Sequence, residues 1–224
     1  GGAGFLPGFG EVAASGESRL AATFGLHASM TLSDATLERC AAAGEGAGFH
    51  VHVAEGPEDE RLCRERHGRS IVERFGRFGL LGPRSLAVHC VHVDDAEKEL
   101  LAETGTAVVH NPESNMGNAV GFAPALDLMK RGVLVGLGTD GYVSDMFRSL
   151  ALASALQRHG LADPDAGWAE VPKMLFRNNA RLADRYFTCP RGRLAPGFAG
   201  DVIVIGYRPP TELSEKNVDG HLLF

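Results

Sequence analysis

Apolar residues along this chain fall in short runs, each closed by a polar residue and followed by a stretch of helical spacing. Leu20 to Leu26 is the first run and predicts a strand that terminates at His27; Ser33 then caps a helix in which Leu37, Cys40, Ala41 and Gly44 recur up to about Ala47. Phe49 to Ala54 is the second strand, and Ile71, Val72, Phe75 and Phe78 mark a helix that ends near Gly79. Leu86 to Val88 is the third, ending in His89-Cys-Val-His92, and Asp94 with Glu97 makes a capping box for a helix to Thr104. Thr106 to Val109 is the fourth, ending in His110-Asn-Pro-Glu-Ser-Asn115, and Pro124 opens a helix through Met129 that Gly132 stops. Val133 to Leu137 is the fifth, ending in Gly138-Thr-Asp-Gly141, and Ser144 precedes a long apolar-periodic helix to about His159.

Apolar strands alternating with helices are the grammar of a parallel α/β sheet. Sites in such sheets sit at the C-terminal ends of the strands, in closed (β/α) barrels and in open doubly wound sheets alike. His27, His52, Glu55, His89, Asn115 and Asp140 all fall there. Elsewhere the pattern changes. Residues 1–19 are rich in Gly, Ala and Ser and read as loop. After helix-compatible sequence from Met174 to Leu182, the turn Gly192-Arg-Leu-Ala-Pro-Gly197 feeds a strand, Asp201-Val-Ile-Val-Ile205. The expected division is therefore an α/β domain over 1–187 and the start of a small β-rich segment over 188–224. The chain opens at Gly1 and stops after Leu222-Leu223-Phe224, where a strand would be expected to continue, so it reads as a fragment.

Composition narrows the partners. A formal charge of −6 with scattered basic residues leaves no electrostatic footprint for nucleic acid or an anionic membrane. No apolar run approaches the roughly 20 residues of a membrane span, and the N-terminus lacks a signal-peptide pattern, which makes the cytoplasm the default location. The four cysteines have no Cys-x-x-Cys spacing and read as reduced and buried.

The candidate chemistry centres on His50-Val-His-Val-Ala-Glu55. Alternation along a strand puts His50 and His52 on one face, and Gly56-Pro57 ends the strand at once. Imidazoles and a carboxylate converging on one point suit Zn²⁺ or a similar divalent ion, Fe²⁺ included. His52 and Asp140 are the candidate metal ligands. Glu55, just past the strand, can curl back to shuttle a proton, and His89 can act as an acid/base or polarising group. Each residue also has a plainer reading: a Thr-Asp-Gly turn is usually only a turn, a strand-end histidine usually satisfies a hydrogen bond, and His89 and His92 can be structural.

The ordered series Gly25-Leu-His-Ala28, His50-Val-His-Val-Ala-Glu55, Ala87-Val-His-Cys90, His110-Asn-Pro-Glu-Ser-Asn115, Gly138-Thr-Asp-Gly141 and Gly192-Arg-Leu-Ala-Pro-Gly197 resembles the amidohydrolase superfamily. The resemblance covers nearly the whole chain from about Leu20. It is closest to the chlorohydrolase and aminohydrolase branch, which includes guanine, cytosine and adenosine-type deaminases, with the SsnA-type aminohydrolases nearest. It implies a distorted (β/α)₈ barrel, here strands four to eight, with one catalytic metal and a small β-sandwich. By position it implies His52 as metal ligand, Glu55 as proton shuttle, His89 as the group polarising water or substrate, and Asp140 as metal ligand and proton acceptor. His27 and Asn115 would border the substrate, an N-heterocyclic small molecule.

One feature departs from that pattern. The family's first strand supplies a His-x-His pair of metal ligands, whereas the only pair here, His50 and His52, matches the fifth. Two ligands of four predict weak metal binding or none by this chain. They leave open a second reading, a catalytically incomplete half barrel serving as a binding or assembly module or simply an incomplete reading frame, with exposed strand edges that favour aggregation or pairing with another chain, including a homo-oligomer. Amide hydrolysis at a two-metal site is disfavoured, because Lys130 and Lys173 fall on helices and no lysine ends a strand.

Overall fold

The computed structural model describes residues 19–44 and 46–223. The loop expected over 1–19 lies, Arg19 apart, outside the described residues. Five strands form one sheet: β1 (Phe24–Ala28), β2 (Phe49–Val53), β3 (Leu86–His89), β4 (Ala107–His110) and β5 (Val135–Leu137). All neighbours are parallel and their spatial order is their sequence order. A doubly wound sheet reverses direction at a switch point and a barrel does not, so this unbroken order is that of five consecutive strands of a (β/α)₈ barrel.

The helices that cross between strands follow local signals. Helix α1 (Asp34–Ala43) starts at Ser33, whose hydroxyl accepts from the Thr36 N–H. Between β2 and β3 come α2 (Pro57–His67) and α3 (Ile71–Arg77). Helix α2 is absent from the expected pattern because it carries almost no apolar stripe. It has Pro in its first turn, acids at its start and Arg64, Arg66 and His67 at its end, an arrangement that favours a helix through its dipole. Ion pairs Arg61–Glu65 and Arg64–Glu60 along its surface add to this. Helix α4 (Asp95–Thr104) has the expected Asp94–Glu97 capping box. A short α5 (Pro112–Gly117) follows β4, α6 (Ala125–Lys130) precedes β5, and α7 (Met146–Leu161) follows it, capped by Asp145 rather than Ser144. Strand bodies and helix faces meet in one core containing Val51, Val53, Phe75, Leu101, Val108, Leu128, Val135 and Leu150.

After α7 the chain returns along the sheet edge as α8 (Glu170–Lys173), a π-turn (Met174–Asn178) and α9 (Asn179–Ala183). The widened turn lets adjacent asparagines both reach β5. Asn179 accepts from the Leu137 N–H at 2.9 Å and donates to the Leu137 carbonyl at 2.9 Å, while Asn178 donates to the Val135 carbonyl at 2.7 Å. The two amides thus stand in for a neighbouring strand and blunt an edge expected to be bare. Gly136 makes the approach possible, since a Cβ there would lie 2.4 Å from the Leu182 side chain and 2.5 Å from Asn179 Oδ1.

Three expectations are corrected. The first strand begins at Phe24 rather than Leu20, because its pairing with β2 starts at Phe24↔Phe49 and residues 20–23 have no partner strand. The strand expected over Asp201–Ile205 does not form: Val202, Ile203 and Val204 are exposed, and no strand occurs among the described residues of 188–224, so an alternating run without a ladder neighbour stays irregular. Leu222 and Leu223 lie on a helix, α10 (Val218–Leu223), packed against α7 and not on a strand.

Replacing Asn179 with Ala strands the Leu137 N–H and carbonyl. The expected loss is about 2 kcal/mol in urea unfolding, against less than about 0.5 kcal/mol for the exposed Glu103→Ala. Equal midpoints for the two variants would show that the edge does not depend on this amide.

Candidate active site

The parallel register delivers polar residues to one edge. Within β2, Phe49, Val51 and Val53 are buried while His50 and His52 face the opposite, more open side, as alternation requires. Pairing of Val53 with His89 then brings the ends of β2 and β3 level. His52 lies between two other histidines, its ring centroid 5.4 Å from that of His27 and 5.4 Å from that of His89. Its Nδ1–H donates to the His27 carbonyl at 2.8 Å, which fixes the ring and leaves Nε2 with its lone pair.

His89 is the floor of the site and is fully buried. Its Nδ1–H donates to Asn115 Oδ1 at 2.9 Å. Its Nε2 has no hydrogen-bond partner and stands 3.5 Å from both the Glu55 and the Asp140 carboxylates, which form a partly exposed rim. Burial raises the Asp140 pKa, but hydrogen bonds from Ser114 and the Gly141 N–H, with His89 and His52 nearby, outweigh it and hold the carboxyl below its ordinary range. Glu55 accepts from Asn118 Nδ2 at 3.2 Å. Four residues expected at the site, His52, Glu55, His89 and Asp140, are therefore brought together.

The other two are placed differently. His27 is exposed beside His52, with Nδ1 bonded to the Thr31 hydroxyl at 3.0 Å. Asn115 is fully buried behind His89, a position that orients the imidazole rather than bordering open space. His92 has the plainer role, donating to the Val120 carbonyl at 2.7 Å.

Ser114 and Asn118 escaped the sequence reading. The signal was present: Pro112 opens a helix, and residues 114 and 118, four apart, fall on the same side, where the exposed Asn118 just past the helix end also donates to Ser114 Oγ at 3.3 Å. Four non-glycine residues with positive φ cluster at these strand ends, Ala54 (48°), His89 (72°), Cys90 (51°) and Asp140 (54°). Each costs of order 1 kcal/mol, and such strain persists where the surrounding packing over-determines it.

The donor set suits a divalent cation: a lone-pair nitrogen on His52, a depressed carboxylate on Asp140, and the unpartnered Nε2 of His89 beside them. No group of three or more His, Cys, Asp or Glu side chains among the described residues is close enough to hold an ion by itself. The residues present thus fit part of a coordination shell.

The amidohydrolase family profile matches residues 5–222. The chain belongs to the amidohydrolase family. A 5-methylthioadenosine/S-adenosylhomocysteine deaminase from Desulfitobacterium hafniense is 35% identical over 219 residues, 94% of this chain and 49% of that protein. A 5′-deoxyadenosine deaminase from Methanothermobacter thermautotrophicus is 36% identical over 215 residues, 93% of this chain and 49% of its own. The chain spans about half the length of the curated relatives it matches. Among solved structures, a Xanthomonas campestris adenosine deaminase with bound zinc superposes with a TM-score of 0.73 at 31% identity, covering 80% of this chain and 42% of that one. Escherichia coli guanine deaminase gives 0.74 at 21% identity over 83% of this chain and 44% of its own, a likeness of fold.

Next to the site, His110 is fully buried with neither ring nitrogen partnered, and burial followed by the charge of His89 pushes its pKa down to about 4 from an ordinary 6.5. The unfolded imidazole therefore takes its proton first, and stability falls as pH drops from 6.5 towards 4, by roughly 3 kcal/mol in full. Glu60, which burial and then Glu97 push up to about 7, acts in the opposite sense. Comparing His110→Leu with the native chain by urea unfolding across this range isolates the histidine: the variant should lack that acid-side loss, and parallel curves would refute it.

Proposed function

We propose that this chain is the part of a metal-dependent aminohydrolase that carries its proton-transfer residues, acting in hydrolytic deamination of an N-heterocyclic amine. An adenine-type ring is the favoured substrate. The observation that carries the reading is the meeting of His52, His89, Glu55 and Asp140 at one sheet edge, with Nε2 of His89 left unpartnered between two carboxylates. Identities of 35% and 36% to deaminases of adenosine derivatives support the substrate class.

The reaction exchanges a ring C–NH₂ for C=O with water in and ammonia out. His52 and Asp140 would hold the divalent ion, with the zinc of the Xanthomonas relative favouring Zn²⁺ over Fe²⁺. Such an ion, when bound, supplies Lewis acidity that brings water within reach of ionisation near neutral pH. Asp140, an ionised carboxylate at neutral pH, accepts the proton that water gives up. His89, held by Asn115, presents Nε2 to the oxygen or ring nitrogen and keeps the nucleophile aligned. Glu55 then delivers a proton to the departing amine, and Asn118 steadies its carboxylate. His27 borders the entrance.

A second reading, in which the chain alone is a non-catalytic half barrel that assembles with another polypeptide, is favoured by the lack of a three-residue ligand cluster among the described residues. Elemental analysis separates the two. This chain alone is expected to hold well under one equivalent of metal, and a longer polypeptide with a His-x-His strand upstream about one, lost in Asp140→Ala. Glu55→Gln in the longer protein should keep its metal while turnover falls by roughly 10²–10⁴-fold. Absence of metal from the longer protein would defeat the hydrolase reading.

A further inference from the structure

Away from the strand ends, the outer helix layer holds a cavity of a different character. Its volume is about 220 Å³, and it is lined by Arg66, His67, Arg69, Arg74, Arg77, Phe78 and Asp34. Four guanidiniums thus face one carboxylate in a chain whose net charge is −6.

The single acid is already committed. Arg74 is buried and bonds Asp34 through Nη2 at 2.7 Å and Nε at 3.1 Å, and its remaining donors reach the Ser29 and Leu32 carbonyls and the Ser29 hydroxyl. Arg74 is therefore a structural pin holding β1's following turn to α3. The other three guanidiniums have no such partner. Arg69 donates only to the His67 carbonyl, and neither Arg66 nor Arg77 makes an ion pair among the described residues.

Helix-dipole compensation accounts for a basic residue in the last turn of α2, as Arg66 is, or of α3, as Arg77 is, but not for Arg69 between the two helices, nor for the convergence of all three on one cavity. Arg64 in the last turn of α2 already pairs with Glu60 and Asp94, and Arg69 and Arg77 lie beyond α2 yet open on the same cavity. His67 registers the crowding: burial first, then Arg74, Arg66 and Arg69, hold its pKa below the ordinary value against the pull of Asp34. Like charges gathered in a concave site repel one another unless an anion joins them.

We propose that this cavity binds a compact oxyanion, inorganic phosphate or the phosphoryl end of a small phosphomonoester, through Arg66, Arg69 and Arg77. Guanidiniums match phosphate geometry in paired hydrogen bonds, and the cavity has room for the anion with several waters, since a water occupies about 30 Å³. The site does not depend on the proposed deaminase chemistry. It lies on the outer helix layer, and a ligand there would stitch α1, the α2–α3 junction and α3 together.

Isothermal titration of the native chain with inorganic phosphate, at constant ionic strength set by chloride, tests this. The expected result is one saturable site per chain, weakened at least tenfold in Arg66→Gln/Arg77→Gln and unchanged in Arg61→Gln, whose side chain pairs with Glu58 and Glu65 instead. A parallel titration with glycerol phosphate distinguishes the sources: competition for the same site assigns it to a phosphomonoester as well as the free ion, and lack of competition restricts it to the free ion. No saturable binding by the native chain, or binding that the double variant retains in full, would overturn the proposal. Circular dichroism of the double variant, in which both replaced side chains are exposed, separates lost binding from lost fold.

Discussion

Parallel pairing of strands in strict sequence order is the constraint on which everything else here depends. Because every strand runs the same way, every C-terminus reaches the same edge, and whatever polar residue ends a strand is carried there. Buried bodies such as Val51 and Val53 in β2 or Ala87 and Val88 in β3 supply the adhesion, and the register Val53↔His89 sets how far each end projects. A one-residue slip would turn His52 into the core and Val53 out of it. Apolar burial thus positions the chemistry, and the site costs little beyond the strain of four left-handed residues at its rim.

The same logic creates a liability and shows how it is met. A parallel sheet cut short of closure exposes backbone donors and acceptors along its terminal strands. At β5 the liability is reduced by side chains, since Asn178 satisfies the Val135 carbonyl and Asn179 both the N–H and the carbonyl of Leu137. Beyond α9, Arg185 bonds the Pro83 and Gly105 carbonyls and Tyr186 the Arg84 carbonyl, stapling the loops that enter β3 and β4. One end of the sheet therefore carries the polar convergence and the other carries fastening, the division of labour expected of (β/α) barrels.

How much of this the sequence discloses varies with the range of the interaction. Strands with an apolar body and helices with a cap, such as α4 behind Asp94 and Glu97, are legible because their signals are local. Helix α2 was not, since charge pairing and dipole matching hold it and no apolar period marks it. The failed strand at Asp201–Ile205 is the converse case: its alternation is genuine, but a strand exists only with a neighbour, and none lies beside it among the described residues. At the site, residue types announced His52, Glu55, His89 and Asp140. The roles of Asn115, Ser114 and Asn118 depended on which way a short helix turned after Pro112, a fact of packing rather than of pattern.

That dependence bears on why His89 is held as it is. A fully buried imidazole with one unpartnered nitrogen ordinarily costs the desolvation of that group, about 1–3 kcal/mol. Here the cost is not recovered by any hydrogen bond within the described chain, while the other nitrogen is fixed by an asparagine that is itself buried. An apolar residue would fill the space more cheaply. A rigid ring whose free nitrogen faces two carboxylates, at the end of a strand already bent into left-handed φ, is the feature on which the proposed proton-transfer role rests, and it sets His89 apart from His110, which is equally buried but has no carboxylate beside it among the described residues.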